Sequence, residues 1–126
     1  VTGVGLGSDV TRRVFLHYPT LYDGNYPIHT HNNYLQMWAE IGIFGLLAYL
    51  GLMVVQVRES LRAFRKADKQ LRRILAAALG GLVGLLAIGL VEYTWFYPRN
   101  MFLFWILFAV IASAVKLIET EAGRAA

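Results

Sequence analysis

Residues 41–57 read IGIFGLLAYLGLMVVQV, 17 positions without a charge. A helix crossing a hydrocarbon core of ~30 Å needs about 20 residues at 1.5 Å each, with about 17–25 the usual range. This run reaches that length by extending backward through Tyr34–Glu40. Two further stretches avoid charge: Ile74–Val91, with 18 residues, and Met101–Val115, with 15. The last becomes long enough if it continues to Ile118 and Lys116 snorkels to the surface. The chain is 57% hydrophobic and 16% charged, whereas a soluble domain carries about 25% charged residues. Segregation of charge is what a bilayer demands, because an uncompensated charge at mid-membrane costs about 2.5–3.5 kcal/mol on the insertion scale. The predicted fold is all-α and polytopic, with transmembrane helices over 34–57, 74–91 and 101–118.

The link between the first two spans, residues 58–73, sets the orientation. It holds Arg58, Arg62, Arg65, Lys66, Lys69, Arg72 and Arg73 against Glu59 and Asp68, so seven minus two gives +5. Short basic links stay in the cytoplasm. Residues 1–33 and the short loop 92–100 then face outward, placing Asn33 outside and Lys66 inside, and the tail 119–126 returns to the cytoplasm. Tyr34, Trp38, Tyr93, Trp95, Phe96 and Tyr97 would gather at the outer interface, where amphipathic rings are enriched. With Phe64 its one aromatic, the basic link has no platform for stacking bases, so no nucleic acid partner is expected. The absence of cysteine excludes disulfides, thiolate metal sites and a cysteine nucleophile.

Three spans form a thin bundle, and the chain opens on Val1 without a signal peptide. It reads as part of a longer polytopic protein, whose N-terminal helices would be its partners together with the lipid bilayer. Before the first span, Ser8 is placed to cap a short helix over Asp9–His17 ended by Pro19, followed by a turn-rich segment, Thr20–Thr30, with Gly24, Asn25 and Pro27. Gly42, Gly45 and Ala48 on the first span, and Ala76, Gly80 and Gly84 on the second, read as helix-packing seams.

The residues that can carry chemistry lie in Ile28–Glu40, IHTHNNYLQMWAE, at the outer end of the first span. Two histidines, two asparagines and a glutamine exceed what anchoring requires. If the helix starts near Asn33, then Asn33, Gln36 and Glu40 share one stripe. Either that stripe faces partner helices or a watery cavity with His31 at its mouth, or these groups are surface side chains satisfied by water and headgroups. Glu40 is open to both readings. His29-x-His31 with His17 and Asp23 is a weak zinc pattern, and no metal is expected. Gly3–Ser8 lacks the last glycine or alanine of a dinucleotide fingerprint and has no βαβ setting.

From His31 the sequence runs His-Asn, nine residues (Asn33–Ile41), Gly42, two residues and Gly45. This pattern, the glycine-rich TGVGLG start and the order of spans resemble the C-terminal part of the O-antigen ligase, O-antigen polymerase and O-oligosaccharyltransferase superfamily. The resemblance implies an inverting, metal-independent glycosyltransferase of the bacterial inner membrane, working without a cofactor. Its donor would be a polyprenyl diphosphate-linked glycan and its acceptor a hydroxyl on a glycan, lipid or protein. It makes His31 the catalytic residue. Diphosphate leaves without a general acid, whereas the attacking hydroxyl must lose a proton, and imidazole accepts one near neutral pH. Asn32, His29, Glu40 and Arg99 are expected to contact substrate, Arg99 as a cation for the diphosphate. The alternative is a membrane transporter of the bicarbonate type, which would call for polar groups at mid-membrane on several spans.

Overall fold

The computed structural model describes residues 2–17 and 29–125. Its elements are α1 (Ser8–Leu16), α2 (Asn33–Phe64), α3 (Lys69–Ile88), a 3-10 turn (Thr94–Phe96) and α4 (Pro98–Ala125). No strand occurs among the described residues. The helices α2, α3 and α4 are each long and apolar enough to cross a membrane, so the all-α, three-span expectation holds. The short first helix lies one residue earlier than expected. The capping role of Ser8, Pro19 and most of the turn-rich segment fall outside what the structure describes.

The helices run beyond the apolar stretches that revealed them. Most of the charged link is helical, because arginine, lysine, glutamine, leucine and alanine are good helix formers. Glu59 and Arg62 pair at 2.6 Å on the last turns of α2. The side chain of Asp68 then caps α3, accepting from the Leu71 N–H at 2.6 Å. The reversal itself occupies residues 65–68.

α4 packs against both other spans. Leu75 and Leu82 of α3 and Phe104, Ile111 and Ile118 of α4 are fully buried, with Tyr49 and Met53 of α2 completing the core. In lipid this association rests on close side-chain packing rather than on water exclusion. The predicted seam Ala76–Gly80–Gly84 does not serve it: a side chain added at Gly80 or Gly84 would meet nothing within 4 Å, and Ala76 is exposed. Helical phase explains why this row is not the contact with α4. Leu75, Ala78 and Leu82 set the buried face, and the adjacent Gly81 is where Leu107 of α4 would come within 3.1 Å of an added Cβ.

The predicted seam on the first span has a different cause. Gly42 sits at φ 74° and ψ −179°, inside what is otherwise one long helix. Only glycine adopts that conformation readily. The break frees carbonyls that a continuous helix would use, and in a bilayer each unsatisfied backbone group costs several kcal/mol. The extended N-terminal segment supplies the donors: Val4 N–H to the Ala39 carbonyl at 2.8 Å, and Gly5 N–H to the Glu40 carbonyl at 3.0 Å. Gly3 (φ 77°) makes this approach possible, because a Cβ there would overlap the Glu40 carbonyl and lie 2.6 Å from the Gly42 nitrogen. At Gly45 an added Cβ would fall 2.8 Å from the Cβ of Ile41. The glycines of the TGVG start and of the His-Asn pattern thus form one backbone clasp, and Ala48 on the same row is exposed.

Candidate functional site

The clasp fixes the N-terminal end of α2, and the site is built on that end. Asn32 caps the helix: its side-chain oxygen accepts from the Tyr34 and Leu35 N–H groups, both at 2.9 Å. Its amide nitrogen donates to the Leu90 carbonyl at 2.7 Å. The Asn33 N–H donates to the Gly89 carbonyl at 2.7 Å, and the Tyr34 hydroxyl to the Leu86 carbonyl at 2.8 Å. The cap residue and the first two residues of α2 therefore bind the carbonyls that the C-terminal end of α3 leaves open. This stitch brings the loop after α3 against the histidines.

His31 precedes the cap with φ 49°, the one non-glycine residue of positive φ among the described residues. Histidine tolerates this region better than bulkier residues do, and such conformations cluster at functional sites. The turn sets the His29 and His31 rings 4.4 Å apart, edge to face. His29 is packed against Phe96 and Tyr93, at ring separations of 4.9 and 5.7 Å. Its Nδ1 accepts from the His31 backbone N–H at 3.3 Å, so that nitrogen carries no proton. His31 is open, with 67% of its side chain exposed, and its Nδ1 lies 3.2 Å from Oε2 of Glu92. A carboxylate only accepts, so the proton of this bond sits on Nδ1, and in the neutral form of the ring Nε2 is the nitrogen that carries the lone pair. Oε1 of Glu92 lies 3.7 Å from His29 Nδ1 and accepts from the Tyr93 N–H at 2.9 Å.

These contacts hold the Glu92 carboxyl below its usual range, through the His31 hydrogen bond first and the Tyr93 N–H second. A carboxyl whose folded value is depressed adds stability above its unfolded value and loses it as pH falls through the folded one. The His31–Glu92 pair should accordingly persist through ordinary acid conditions and break only below the usual carboxylate range. Carbon NMR of Glu92 in the purified protein tests this, and His31→Ala should move the titration upward. An unchanged titration in that variant would mean that the pair does not form. Burial and the charge of Glu40 push Tyr93 up to about 12, so it remains a neutral phenol at the edge of the site.

The predicted polar stripe is buried: Asn33, Gln36 and Glu40 are 3%, 0% and 7% exposed. Gln36 donates to Glu40 at 2.7 Å and accepts from the Thr30 N–H at 3.0 Å. Glu40 is therefore no solvated surface carboxylate, and it ties the HTHN turn to the helix next to the break. Asn32 has both ends of its amide engaged by backbone. Arg99 is exposed, with its guanidinium 5.4 Å from the centre of the Tyr97 ring, and it makes no hydrogen bond or ion pair with the histidine cluster. His17 bonds to the Arg13 carbonyl on α1 at 2.9 Å, and Asp23 lies outside the described residues. In place of those two, the structure sets Glu92 beside the histidine pair. Sequence reasoning missed Glu92, although it is the one charged residue between Arg73 and Arg99.

No curated protein and no solved structure matches the chain. Residues 1–50, which hold the clasp, the His-Asn pair and both glycines at the break, match the family model described as O-antigen ligase, whose C-terminal part the sequence resembles.

Proposed function

We propose that the protein transfers a glycan from a polyprenyl diphosphate to a hydroxyl acceptor, with His31 as general base and Glu92 as its orienting partner. The family match supports a membrane function of O-antigen ligase type and lends nothing to transport. The observation that carries the finer reading is the 3.2 Å contact from His31 Nδ1 to Glu92. It leaves the opposite nitrogen of an exposed imidazole free to take a proton, which is how a carboxylate prepares a histidine base. The acceptor oxygen attacks the anomeric carbon on the face away from the diphosphate, so the configuration inverts. Its proton passes to His31 Nε2, the bond to the diphosphate oxygen breaks, and that oxygen keeps the electron pair. Glu92 steadies the imidazolium that forms.

The remaining roles follow from position. Asn32 and the stripe of Gln36 and Glu40 hold the HTHN turn, and His29 walls it against the aromatic loop. Arg99, at the start of α4, is an outer-face cation suited to the diphosphate once it swings off Tyr97. The acceptor is a glycan, lipid or protein hydroxyl, and the helices that complete the donor site belong to the rest of the same protein. Buried side chains of α3 and α4 are apolar among the described residues, which gives a transported polar solute nothing to bind at mid-membrane.

The deciding experiment is transfer by the purified full-length protein from a polyprenyl diphosphate glycan in the presence of EDTA. Product of inverted configuration is expected, and an absolute need for added magnesium or manganese would overturn the metal-independent mechanism. Orientation is checked by labelling with an impermeant maleimide in sealed cells. Because Asn33 is buried, the outer probe belongs at exposed Tyr97 and the inner one at exposed Lys66. Cysteine at 97 should react and cysteine at 66 should not. The reverse would put the histidines in the cytoplasm and sink the proposed reaction.

A further inference from the structure

We propose that His29, His31 and Glu92 bind a divalent cation of the zinc class, and that its occupancy withdraws His31 as a base. The binding part stands on geometry alone, and the inhibition rests on the function proposed above.

One ring nitrogen of each histidine and one carboxylate oxygen lie within 4.8 Å of one another. His31 Nδ1 lies 3.2 Å from Oε2 of Glu92, and His29 Nδ1 lies 3.7 Å from the other oxygen, Oε1. Tetrahedral zinc with bonds of about 2.0–2.2 Å holds its ligands about 3.3–3.5 Å apart. Closing the set from the outer limit of 4.8 Å takes shifts of up to about 1.5 Å. Two imidazoles and a carboxylate, with a fourth position open to solvent, form a donor set that zinc accepts. Magnesium and calcium prefer six or more oxygens and are poorly served.

The surroundings suit a ligand set. His29 Nδ1 is unprotonated and its lone pair is engaged by the His31 backbone N–H at 3.3 Å, a long bond that a metal would replace, and its ring is held from behind by Phe96 and Tyr93. His31, on the open side, provides the way in. The left-handed turn at His31 is what lets both rings of the pair face one carboxylate.

The consequence for His31 follows from its proton. Metal at Nδ1 takes the position of the hydrogen now facing Glu92, so the neutral ring must bind as its other tautomer, with its one proton moved through solvent from Nδ1 to Nε2. The nitrogen that would accept the acceptor's proton is then filled. Zinc should inhibit, although transfer needs no metal.

Cobalt(II) tests the site directly, because a low-symmetry four-coordinate complex gives strong visible bands. Titration of the full-length protein with cobalt should produce them, zinc should abolish them, and magnesium should not. His29→Ala and Glu92→Gln should each weaken binding by about 10–100-fold, with monodispersity confirming that the variants fold. Zinc should slow transfer in step with displacement of cobalt, and EDTA should reverse it. The ratio of rates with and without zinc should approach one in His29→Ala. Absence of the bands, or bands unchanged in both variants, would overturn the site. Full zinc occupancy with an unchanged rate would overturn the inhibition. A protein that binds cobalt through these residues yet transfers no glycan keeps the site and loses the function proposed above.

Discussion

His31→Gln in the full-length protein should lower glycan transfer by about 10²–10⁴-fold, the contribution of a positioned general base. That loss corresponds to about 3–5 kcal/mol of barrier. Glutamine can keep a hydrogen bond to Glu92 across the 3.2 Å now spanned by the imidazole, but an amide takes no proton from an attacking hydroxyl. His31→Ala should be as inactive. A histidine that only decorates the surface would cost within about 0.5 kcal/mol on removal, so the two roles differ by orders of magnitude in rate. The assay is initial rate of transfer from a purified polyprenyl diphosphate glycan, with expression and detergent behaviour followed in parallel. Retention of more than about a tenth of the wild-type rate by His31→Gln is incompatible with a base, whose smallest expected effect is about 10²-fold. Glu40 would be a poor substitute, since it is 7% exposed and already accepts a hydrogen bond from Gln36.

What the sequence makes legible here is what the bilayer imposes. Charge-free runs around Ile41–Val57, Ile74–Val91 and Met101–Val115 announce the spans because lipid tolerates nothing else there. The stripe of Asn33, Gln36 and Glu40 follows from helical spacing alone, and all three are buried. Glu92 was out of reach for a different reason. It lies 61 positions from His31, and only the stitching of Asn32, Asn33 and Tyr34 to the end of α3 brings the two together. A lone acid directly after a charge-free span was the available signal. The glycines were misread because spacing cannot distinguish a packing seam from a backbone break. Gly42 and Gly45 have the small-residue rhythm of a seam, yet Gly42 is there for its backbone angles and Gly45 for the room taken by Ile41.

That distinction yields the second large effect. Gly42→Ala should destabilise the protein by at least about 1–3 kcal/mol, the cost of holding an ordinary residue in a backbone region reserved for glycine. Gly3→Ala should be as harmful or worse, because its Cβ meets the Glu40 carbonyl and the Gly42 nitrogen, neither of which can move as a flexible side chain does. Relief requires the N-terminal segment to withdraw, which breaks the Val4 and Gly5 hydrogen bonds and leaves two carbonyls at the break without donors. Inside a membrane each such loss costs several kcal/mol. Gly51→Ala is the control: it lies on the same helix, an added Cβ there meets nothing within 4 Å, and alanine is the better helix former by about 1 kcal/mol. Thermal unfolding in detergent should therefore rank Gly51→Ala at or above wild type and the two clasp variants well below it. Transfer should fall with the clasp as well, because the break sets the end of α2 on which Asn32 holds the HTHN turn. Equal stability of Gly42→Ala and Gly51→Ala would mean that the helix runs straight through, and that the His-Asn-to-glycine spacing is kept for helix packing after all.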